Sequence, residues 1–319
     1  MKVLITGGFG YLGGRLAQFL APLPSYEVVL GSRKNTDSPH WLPNVKVIKM
    51  EWASTENLKD ACAGVDAIVH MAGMNAQDCA NNPTVAIEFN TVATSNLIQA
   101  AISTGVKRFI YLSTAHVYGS PLAGEITEET CPTSLHPYAT SRKAAEDIVR
   151  SAFSDNKIES VIIRLSNAFG APVDRKVNCW MLLINDLCHQ AATSRQMVLR
   201  TTGLQRRDFI TITDTCRTIE HLLKLSTDKL DNGVFNVGGG WSPTIKEITE
   251  LVAERFYILR GYKPEAEYTS NTSAEISGEL NFKISKLINT GFTVSPKKLI
   301  NEELDKLIQF CTNEKVNTK

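Results

Sequence analysis

The first apolar run of the chain leads directly into a cluster of glycines. Within residues 6–13, TGGFGYLG, three glycines recur at intervals of three residues. Between a strand and a helix, the first would permit a tight turn, the second would let the backbone approach a pyrophosphate, and the third would let the helix pack closely. Backbone N–H groups at the helix start could then hold the diphosphate. The pattern predicts a dinucleotide-binding turn with the contacts Gly7, Phe9, Gly10, Tyr11, Leu12 and Gly13.

The end of the next β-branched run carries the residues that would select the dinucleotide. An acidic residue in this place usually holds the 2′-hydroxyl of the adenine ribose, but the chain has Gly31-Ser32-Arg33-Lys34. One hydroxyl and two cations could bind a 2′-phosphate. We therefore predict NADP as the cofactor, bound by Ser32 and Arg33, with NAD as the alternative. The other interpretation of Arg33 and Lys34 is a solvated loop.

Short apolar runs alternate with helical patterns, and this alternation predicts the elements that position the cofactor. The runs are KVLIT, YEVVLGS, VKVIKM, VDAIVHMAG, VKRFIYLS and ESVIIRLS. They are continuously apolar, as expected of parallel strands with helices on both faces of the sheet. Their repetition implies right-handed crossovers. The prediction is an α/β fold with a doubly wound parallel sheet, a Rossmann domain, over residues 1–170, to which a strand near 233–240 returns.

The alternation fades after residue 170. Helices are expected in VNCWMLLINDLCHQAATS and in SPTIKEITELVAERF, the second with Ser242 as its N-cap and Pro243 as its first residue. We predict that residues 171–319 form mainly a smaller C-terminal lobe that binds the substrate.

Composition excludes several classes of protein. Lys and Arg number 34 against 33 Asp and Glu, a net charge of +1, so no overall attraction to nucleic acid is expected. No apolar run approaches the roughly 20 residues of a membrane-spanning helix, and the glycines come too early for a signal peptide. Seven scattered cysteines without a C-x-x-C pair predict free buried thiols, no metal site and a reducing compartment. We therefore expect a cytoplasmic protein.

Three further segments complete a pattern with the glycine-rich turn. They are LSTAHVYG from Leu112, PYATSRKAAE from Pro137 and RLSNAFGAP from Arg164. In this order and spacing they resemble the extended short-chain dehydrogenase/reductase family, which includes nucleotide-sugar epimerases, dehydratases and ketoreductases. The resemblance covers nearly the whole chain and becomes loose beyond about Tyr268. It implies an NAD(P)-dependent enzyme for a nucleotide-diphosphate sugar, and a homodimer formed through the helices at 90–104 and 138–153.

The resemblance also implies the catalytic residues. Tyr138 matches the family's catalytic tyrosine, whose phenol can exchange a proton with a sugar hydroxyl, and Thr114 matches the hydroxyl residue beside it. The family has a lysine four residues after the tyrosine, whereas this chain has Arg142 there and Lys143 next. On a helix these positions lie about 40° and about 140° from the tyrosine. We predict that Arg142 faces the site, with retained cofactor binding and altered or weakened catalysis.

Other cofactor contacts follow from position along the fold. Ligands of doubly wound folds bind beyond the carboxyl ends of the strands. Glu51 and Trp52 end the third run, and Ala72 and Gly73 end the fourth. The predicted set is completed by Tyr138, Arg142, Ser113 and Asn90, the last matching a structural asparagine of the family.

The resemblance limits the sugar chemistry. The family's 4,6-dehydratases have an acidic pair after the catalytic threonine, where this chain has Ala115 and His116, so dehydration is not expected. Keto-sugar reduction at the 4-position, with consumption of NADPH, is the first prediction. A nucleotide-sugar 4-epimerase with tightly bound NAD is the alternative, and a catalytically weakened dinucleotide-binding sensor is the further alternative.

The predicted substrate contacts are Thr114, His116, Asn167 and Arg207. Asn167 matches the family's asparagine near the diphosphate, and Arg207 matches the arginine of its RDF(I/V) motif, whose guanidinium suits a diphosphate. The family's RPGD-like segment has no counterpart in residues 268–282, YTSNTSAEISGELNF. That departure weakens the prediction of a nucleotide sugar and leaves room for another hydroxyl or keto substrate.

Three of these residues also have interpretations without function. Tyr138 could be an aromatic residue at a helix start, and His116 could be a packing histidine. Arg207 could form a salt bridge to Asp208 or Asp214.

Overall fold

The computed structural model describes residues 1–268 and 278–312. The strands are β1 Lys2–Thr6, β2 Glu27–Ser32, β3 Lys46–Lys49, β4 Ala67–His70, β5 Arg108–Thr114, β6 Gly124–Ile126, β7 Glu159–Leu165, β8 Asn167–Phe169, β9 Gln196–Leu199, β10 Phe209–Thr211, β11 Val234–Val237, β12 Glu265–Tyr268 and β13 Leu280–Phe282. The α-helices are α1 Tyr11–Leu20, α2 Thr55–Cys62, α3 Ala76–Asn81, α4 Pro83–Ala86, α5 Ala93–Ser103, α6 Pro137–Ser154, α7 Leu183–Ser194, α8 Ile212–Lys224, α9 Ile245–Arg260, α10 Ser285–Asn289 and α11 Lys297–Thr312. A π-helical segment, Ile87–Val92, joins α4 to α5.

Within the described residues, seven strands form one sheet in the order β11-β7-β5-β4-β1-β2-β3. The five strand pairings from β3 across to β7 are all parallel. Val3, Leu4 and Ile5 of β1 are all fully buried, so both faces of this strand are covered. The predicted α/β class and its doubly wound sheet are confirmed. From β1 the chain proceeds to β2 and β3 on one side and returns to β4 on the other, which opens a crevice at the carboxyl ends of β1 and β4.

Helices α2, α5 and α6 bury their apolar residues in one core with the central strands. Leu58, Leu97 and Val149 of these helices pack in a cluster with Phe109 of β5 and Ile162 of β7. Full burial of each such side chain contributes about 1.5–3 kcal/mol. This core holds α6 against β5 and β7. The predicted catalytic residues Tyr138 and Arg142 lie on α6, and Thr114 ends β5.

The first turn of α6 is determined by local sequence. Pro137 occupies the first helical position, where its missing N–H has no helical partner to lose. His136 is the N-cap, and its Nδ1 accepts a hydrogen bond from the Tyr138 N–H at 3.2 Å. These two residues start the helix one position before Tyr138.

The chain divides into two compact units. The first comprises Met1–Ser120, Thr130–Leu165 and Cys216–Asn236, and it contains most of the large sheet. The second comprises Pro121–Glu129, Ser166–Thr215 and the described residues from Val237 onward. Its core joins α7, α9 and α11 through side chains such as Leu187, Phe256 and Leu307. The prediction that the C-terminal part binds the substrate stays a prediction.

Helix α9 starts two residues later than the sequence analysis expects. Thr244, not Ser242, is its N-cap, and Pro243 precedes the helix. The Thr244 Oγ1 accepts from the Glu247 N–H at 3.1 Å, and the Glu247 carboxylate accepts from the Thr244 N–H at 2.7 Å. This capping box satisfies two N–H groups, which a cap at Ser242 would not do.

Two other expectations are corrected by the structure. The helix expected from Val177 begins at Leu183. Cys131 is exposed, whereas the other six free cysteines are buried.

Within the described residues, no helix is long and apolar enough to cross a membrane, and no group of three or more His, Cys, Asp or Glu side chains is arranged to hold a metal ion.

Candidate active site

The glycine-rich turn has the geometry of a phosphate-binding turn. Gly7 has φ +70°, a conformation that costs energy for residues with a Cβ, and its carbonyl accepts from the Gly10 N–H at 2.8 Å. A Cβ on Gly13 would lie 2.3 Å from the Gly7 oxygen, so only glycine lets α1 approach the turn this closely. Helix α1 has Gly10 as its N-cap, without a side-chain cap. Its first N–H groups therefore lie next to the carboxyl end of β1, where a diphosphate could accept from them.

A cleft of about 490 Å³ adjoins this turn, in the first unit. Eight of the sixteen residues predicted to bind the dinucleotide line it. The lining residues are Gly7, Phe9, Gly10, Gly31, Ser32, Arg33, Lys34, Thr36, Trp52, Met71, Ala72, Gly73 and Phe89. Glu51 is not among them, and its carboxylate accepts from Lys49 Nζ at 2.6 Å. The other predicted contacts outside the lining are Tyr11, Leu12, Gly13, Asn90, Ser113, Tyr138 and Arg142.

Arg33 and two aromatic rings form one end of the cleft. The Arg33 guanidinium carbon lies 5.2 Å from the centroid of the Phe89 ring, and Phe89 meets Trp52 edge-on at 5.8 Å. Phe89 is not among the cofactor contacts predicted from the sequence. It lies on the π-helical segment, and the wider turn of a π-helix cannot be predicted from the spacing of apolar residues. An aromatic residue directly before Asn90 is the signal that could have identified it.

Tyr138 and Arg142 come together at the start of α6. The Arg142 guanidinium carbon lies 5.5 Å from the Tyr138 ring centroid and 5.9 Å from that of Tyr111. Its Nη1 donates to the Leu112 carbonyl at 3.0 Å, and the residue is 6% exposed. Lys143 points elsewhere and pairs with Asp147 at 2.5 Å. This is the orientation that helical spacing predicts; the catalytic roles stay predictions.

The hydroxyl groups expected beside Tyr138 have different surroundings. Thr114 Oγ1 accepts from the His116 N–H at 3.2 Å, which leaves its own proton to be donated. Ser113 Oγ donates to Glu146 at 2.5 Å, so its hydroxyl is engaged by the protein. His116 is half-buried in a short 3₁₀ turn after β5.

Asn90 connects the loop after β4 to α6. Its amide oxygen accepts from the Met74 N–H at 2.9 Å, and its nitrogen donates to Ser141 Oγ at 2.9 Å. Asn90 is buried, and these bonds make it a positioning residue between two segments that carry predicted site residues. A direct contact with the cofactor stays a prediction.

His70, at the end of β4, organises the loop that borders the cleft. The Thr94 hydroxyl donates to the Asn90 carbonyl at 2.6 Å, so it accepts from His70 Nε2 at 2.9 Å. His70 Nδ1 then accepts from Thr6 Oγ1 at 2.7 Å, and Thr6 Oγ1 accepts from the backbone N–H of Ala72 at 3.3 Å. A neutral histidine satisfies every one of these bonds. Burial, and secondarily the charge of Arg142, lowers the pKa of His70 to about 3.

We expect this histidine to make the fold sensitive to acid. His70 takes up a proton near pH 6.5 when unfolded but only near pH 3 when folded, so the stability it contributes is lost as the pH falls from about 6.5 to about 3. Between pH 6 and pH 4, the free energy of unfolding of the wild type should fall by up to about 1.4 kcal/mol per pH unit more than that of His70→Gln. Urea unfolding at a series of pH values measures this difference. Parallel curves for the two proteins would contradict it.

A buried ion pair behind α6 is absent from the sequence-based set. Glu146 and Arg164 are 0% and 2% exposed, and Arg164 Nη2 donates to Glu146 Oε2 at 2.8 Å. Arg164 also donates to the Tyr118 hydroxyl at 2.9 Å, which in turn donates to Asn236 Oδ1 at 2.7 Å. Since Ser113 donates to the same Glu146, the pair links α6 to β5 and β7.

In the second unit, Arg207 presents a guanidinium without a carboxylate partner among the described residues. Its Nε and Nη2 donate to Gln205 Oε1 at 3.1 and 2.9 Å, and burial lowers its pKa. The salt bridge to Asp208 or Asp214 considered above does not form. Asp208 Oδ1 accepts from the Gly239 N–H at 3.0 Å, and the Asp214 carboxylate accepts from Ser295 Oγ at 2.7 Å.

Asn167 and Asp208 hold neighbouring strands of the second unit together. Asn167 Nδ2 donates to the Asp208 carbonyl at 2.9 Å, where β8 pairs with β10. Burial raises the pKa of the Asp208 side chain to about 7. Most of the segment compared above with RPGD, residues 269–277, lies outside the described residues.

Known proteins share this sequence pattern and this fold. The family described as "NAD dependent epimerase/dehydratase family" matches residues 3–238. The chain is 29% identical over 270 residues to the dTDP-D-glucose 4,6-dehydratase of Mus musculus, covering 79% of this chain and 73% of that protein. Its structure is similar to that of UDP-glucose 4-epimerase from Thermotoga maritima with UDP-glucose, with a TM-score of 0.83 and 20% identity over 98% of this chain and 99% of that one. It is also similar to RMD from Pseudomonas aeruginosa complexed with NADPH, with a TM-score of 0.78 and 22% identity over 98% of this chain and 99% of that one.

Proposed function

The chain belongs to the NAD-dependent epimerase/dehydratase family, and on this premise we propose that it is a nucleotide-sugar 4-epimerase that uses a nicotinamide dinucleotide. The observation that carries the proposal is the position of Arg142. Its guanidinium lies 5.5 Å from the ring centroid of Tyr138 and directly against Gly73, which lines the cleft. A proton-transferring phenol and a permanent cation thus meet at the edge of a dinucleotide-sized cleft.

The residues of the cleft fit a dinucleotide. There is no space for side chains at Gly7 and Gly13, and the N-terminus of α1, whose N-cap Gly10 has no side chain, would direct backbone N–H groups toward a diphosphate. Trp52, Phe89 and Arg33 would hold the adenosine end, and Ala72 and Gly73 would border the ribose and ring at the other end. A bound nicotinamide supplies the capacity to accept and return a hydride.

The chain's own residues handle the proton. As a phenolate, Tyr138 Oη would accept the proton of the sugar hydroxyl when that carbon is oxidised, and would return the proton when the same carbon is reduced from the opposite face. Thr114 Oγ1 donates a hydrogen bond to the same sugar oxygen. Arg142 would compensate the negative charge on the phenol oxygen, because opposite charges attract more strongly when one of them is buried, as Arg142 is.

The acidic pair that the family's 4,6-dehydratases have after the catalytic threonine is absent from this chain. Ala115 is buried and apolar, and His116 stands where an acidic side chain would be needed. Ala115 and His116 are therefore the reason why we propose epimerisation and not the elimination of water, although the chain is similar to a 4,6-dehydratase. Returning the hydride at that carbon completes an epimerisation without net consumption of cofactor.

Arg207 supports a diphosphate-containing substrate. Gln205 accepts from one edge of its guanidinium, so Nη1 remains available for phosphate oxygens, and the burial that lowers its pKa disfavours an uncompensated charge. A nucleotide diphosphate would supply the missing anion and two or more charge-assisted hydrogen bonds. We place Asn167 beside it as a second contact.

The substrate class is tested with UDP and dTDP as probes. Each charge-assisted hydrogen bond contributes about 1.5–3 kcal/mol, so Arg207→Gln should weaken binding of the preferred diphosphate by at least about tenfold. Arg206→Gln is the matched control, because Arg206 is already engaged by Ser242 and Glu247. Thermal stabilisation by the diphosphate measures the affinity. Equal losses in both variants would contradict the role of Arg207, and no stabilisation of the wild type would favour the sensor.

Net keto-sugar reduction is the second candidate, and Arg33 favours it. Its exposed guanidinium has no carboxylate partner within residues 1–268 and 278–312 and borders the cleft, as binding of the NADP 2′-phosphate requires. The ultraviolet spectrum of the denatured purified protein, followed by titration of the apoprotein with NADH and NADPH, separates the candidates. For the epimerase we expect copurified NAD. An empty site with a clear preference for NADPH would overturn it in favour of reduction. The homodimer and the cytoplasmic location stay predictions.

A further inference from the structure

Gly73 lies closer to Arg142 than any residue with a side chain could. A Cβ built on Gly73 would be 2.0 Å from Arg142 Nη2, 2.6 Å from Cζ and 3.0 Å from Nη1. All three of its nearest atoms belong to the guanidinium. Gly73 is not among the glycines with positive φ, so its backbone conformation is open to alanine. The structure thus requires glycine here for space alone.

The guanidinium cannot give way without losing its place in the site. To make room for a methyl group, Nη2 would have to withdraw from 2.0 Å to the 3.4 Å at which ordinary contact begins. It is held on the other side by the hydrogen bond from Nη1 to the Leu112 carbonyl. The rings of Tyr111 and Tyr138 enclose it further. A shift of this size moves the cation away from Tyr138 or breaks the bond to Leu112.

A lysine would not have this requirement. Its head is a single nitrogen on a flexible stem, whereas the guanidinium is a planar group of four heavy atoms. A chain with arginine at position 142 therefore needs more space next to the head group than a chain with lysine. The absence of a side chain at Gly73 provides this space.

We propose that Gly73 is a positioning residue for Arg142, and that the two form a coupled pair that allows an arginine to serve beside Tyr138. The inference rests on the cofactor-binding part of the proposed function. It predicts that the effect of a side chain at position 73 depends on the residue at position 142.

A double-mutant cycle tests the coupling. The four proteins are the wild type, Gly73→Ala, Arg142→Lys and the variant with both changes. Dissociation constants for NADH and NADPH are measured by fluorescence titration. Displacing a charge-assisted contact costs about tenfold to a hundredfold in affinity, so we expect a loss in that range for Gly73→Ala in the wild type. In the Arg142→Lys background the same change should cost less than about threefold.

Two results would overturn the inference. An equal loss in both backgrounds would mean that Gly73 makes room for the cofactor itself, since it also lines the cleft. No loss in either background would mean that the guanidinium moves freely. Circular dichroism and urea unfolding of the four proteins provide a readout that needs no cofactor: if Gly73→Ala fails to fold and Arg142→Lys restores folding, the coupling is supported. If the wild type binds neither dinucleotide, the proposed function fails, and the unfolding free energies of the cycle still decide the coupling.

Discussion

Replacing Tyr138 with phenylalanine is expected to lower kcat by about 10²–10⁴ while leaving cofactor affinity within about threefold of the wild type. The change removes only the hydroxyl that exchanges the proton. The ring remains, so the Arg142 guanidinium keeps the surface it lies against at 5.5 Å. Steady-state kinetics with the nucleotide sugar whose diphosphate stabilises the protein, together with cofactor titration, measures both quantities.

Lys143→Ala is the control for this prediction. Lys143 is a potential acid or cation five residues from Tyr138, but its amine pairs with Asp147 on the surface of α6, and we expect kcat to change by less than about twofold. A loss with Lys143→Ala comparable to that with Tyr138→Phe would mean that the cation of the site has been misidentified. Retention of a third or more of kcat by Tyr138→Phe would remove the phenol from the mechanism.

The frame of the site could be predicted because its signals are local. The strand Lys2–Thr6 contains three consecutive apolar residues, the turn after it contains Gly7, and helix α1 contains Gly13, so the strand, its burial and its turn follow from adjacent residues. The inward position of Arg142 follows from helix geometry alone. Each of these features depends on interactions within about one helical turn or one strand.

The parts that escaped prediction depend on contacts between distant segments. Phe89 reaches the cleft because a π-helical segment around Asn90 changes the direction of the side chains, and Asn90 is held by residues of α6 and of the loop after β4. Arg33 meets Phe89 across 56 positions of sequence. The start of α9 was predicted wrongly for a different reason. The sequence contains the T-x-x-E capping pattern of Thr244 and Glu247, but the prediction followed the preference of proline for the first helical position and placed the start at Pro243.

Glu146 is the largest of these omissions, and its removal is expected to be the most destabilising single change near the site. In Glu146→Ala the guanidinium of Arg164, which is 2% exposed, loses its carboxylate and stays buried. Breaking one partner of a buried pair costs about 3–5 kcal/mol. Ser113 also loses its acceptor at 2.5 Å. The free energy of unfolding in urea measures the loss, and the displaced end of β5 should lower kcat as well because Thr114 follows Ser113.

The neighbouring residue provides the matched control. Asp147 is also acidic, lies on the same helix and forms its ion pair with Lys143 at the surface, where its side chain is 58% exposed. Exposed pairs of this kind contribute about 0.2–1 kcal/mol, so Asp147→Ala should lower the free energy of unfolding by no more than that. If both variants lost a similar small amount, water or Tyr118 would have to stabilise Arg164 in place of the carboxylate. A large difference between the two variants would show that Glu146 is indispensable because its ion pair is buried. Asp147 is the adjacent residue on the same helix and forms the same kind of ion pair at the surface.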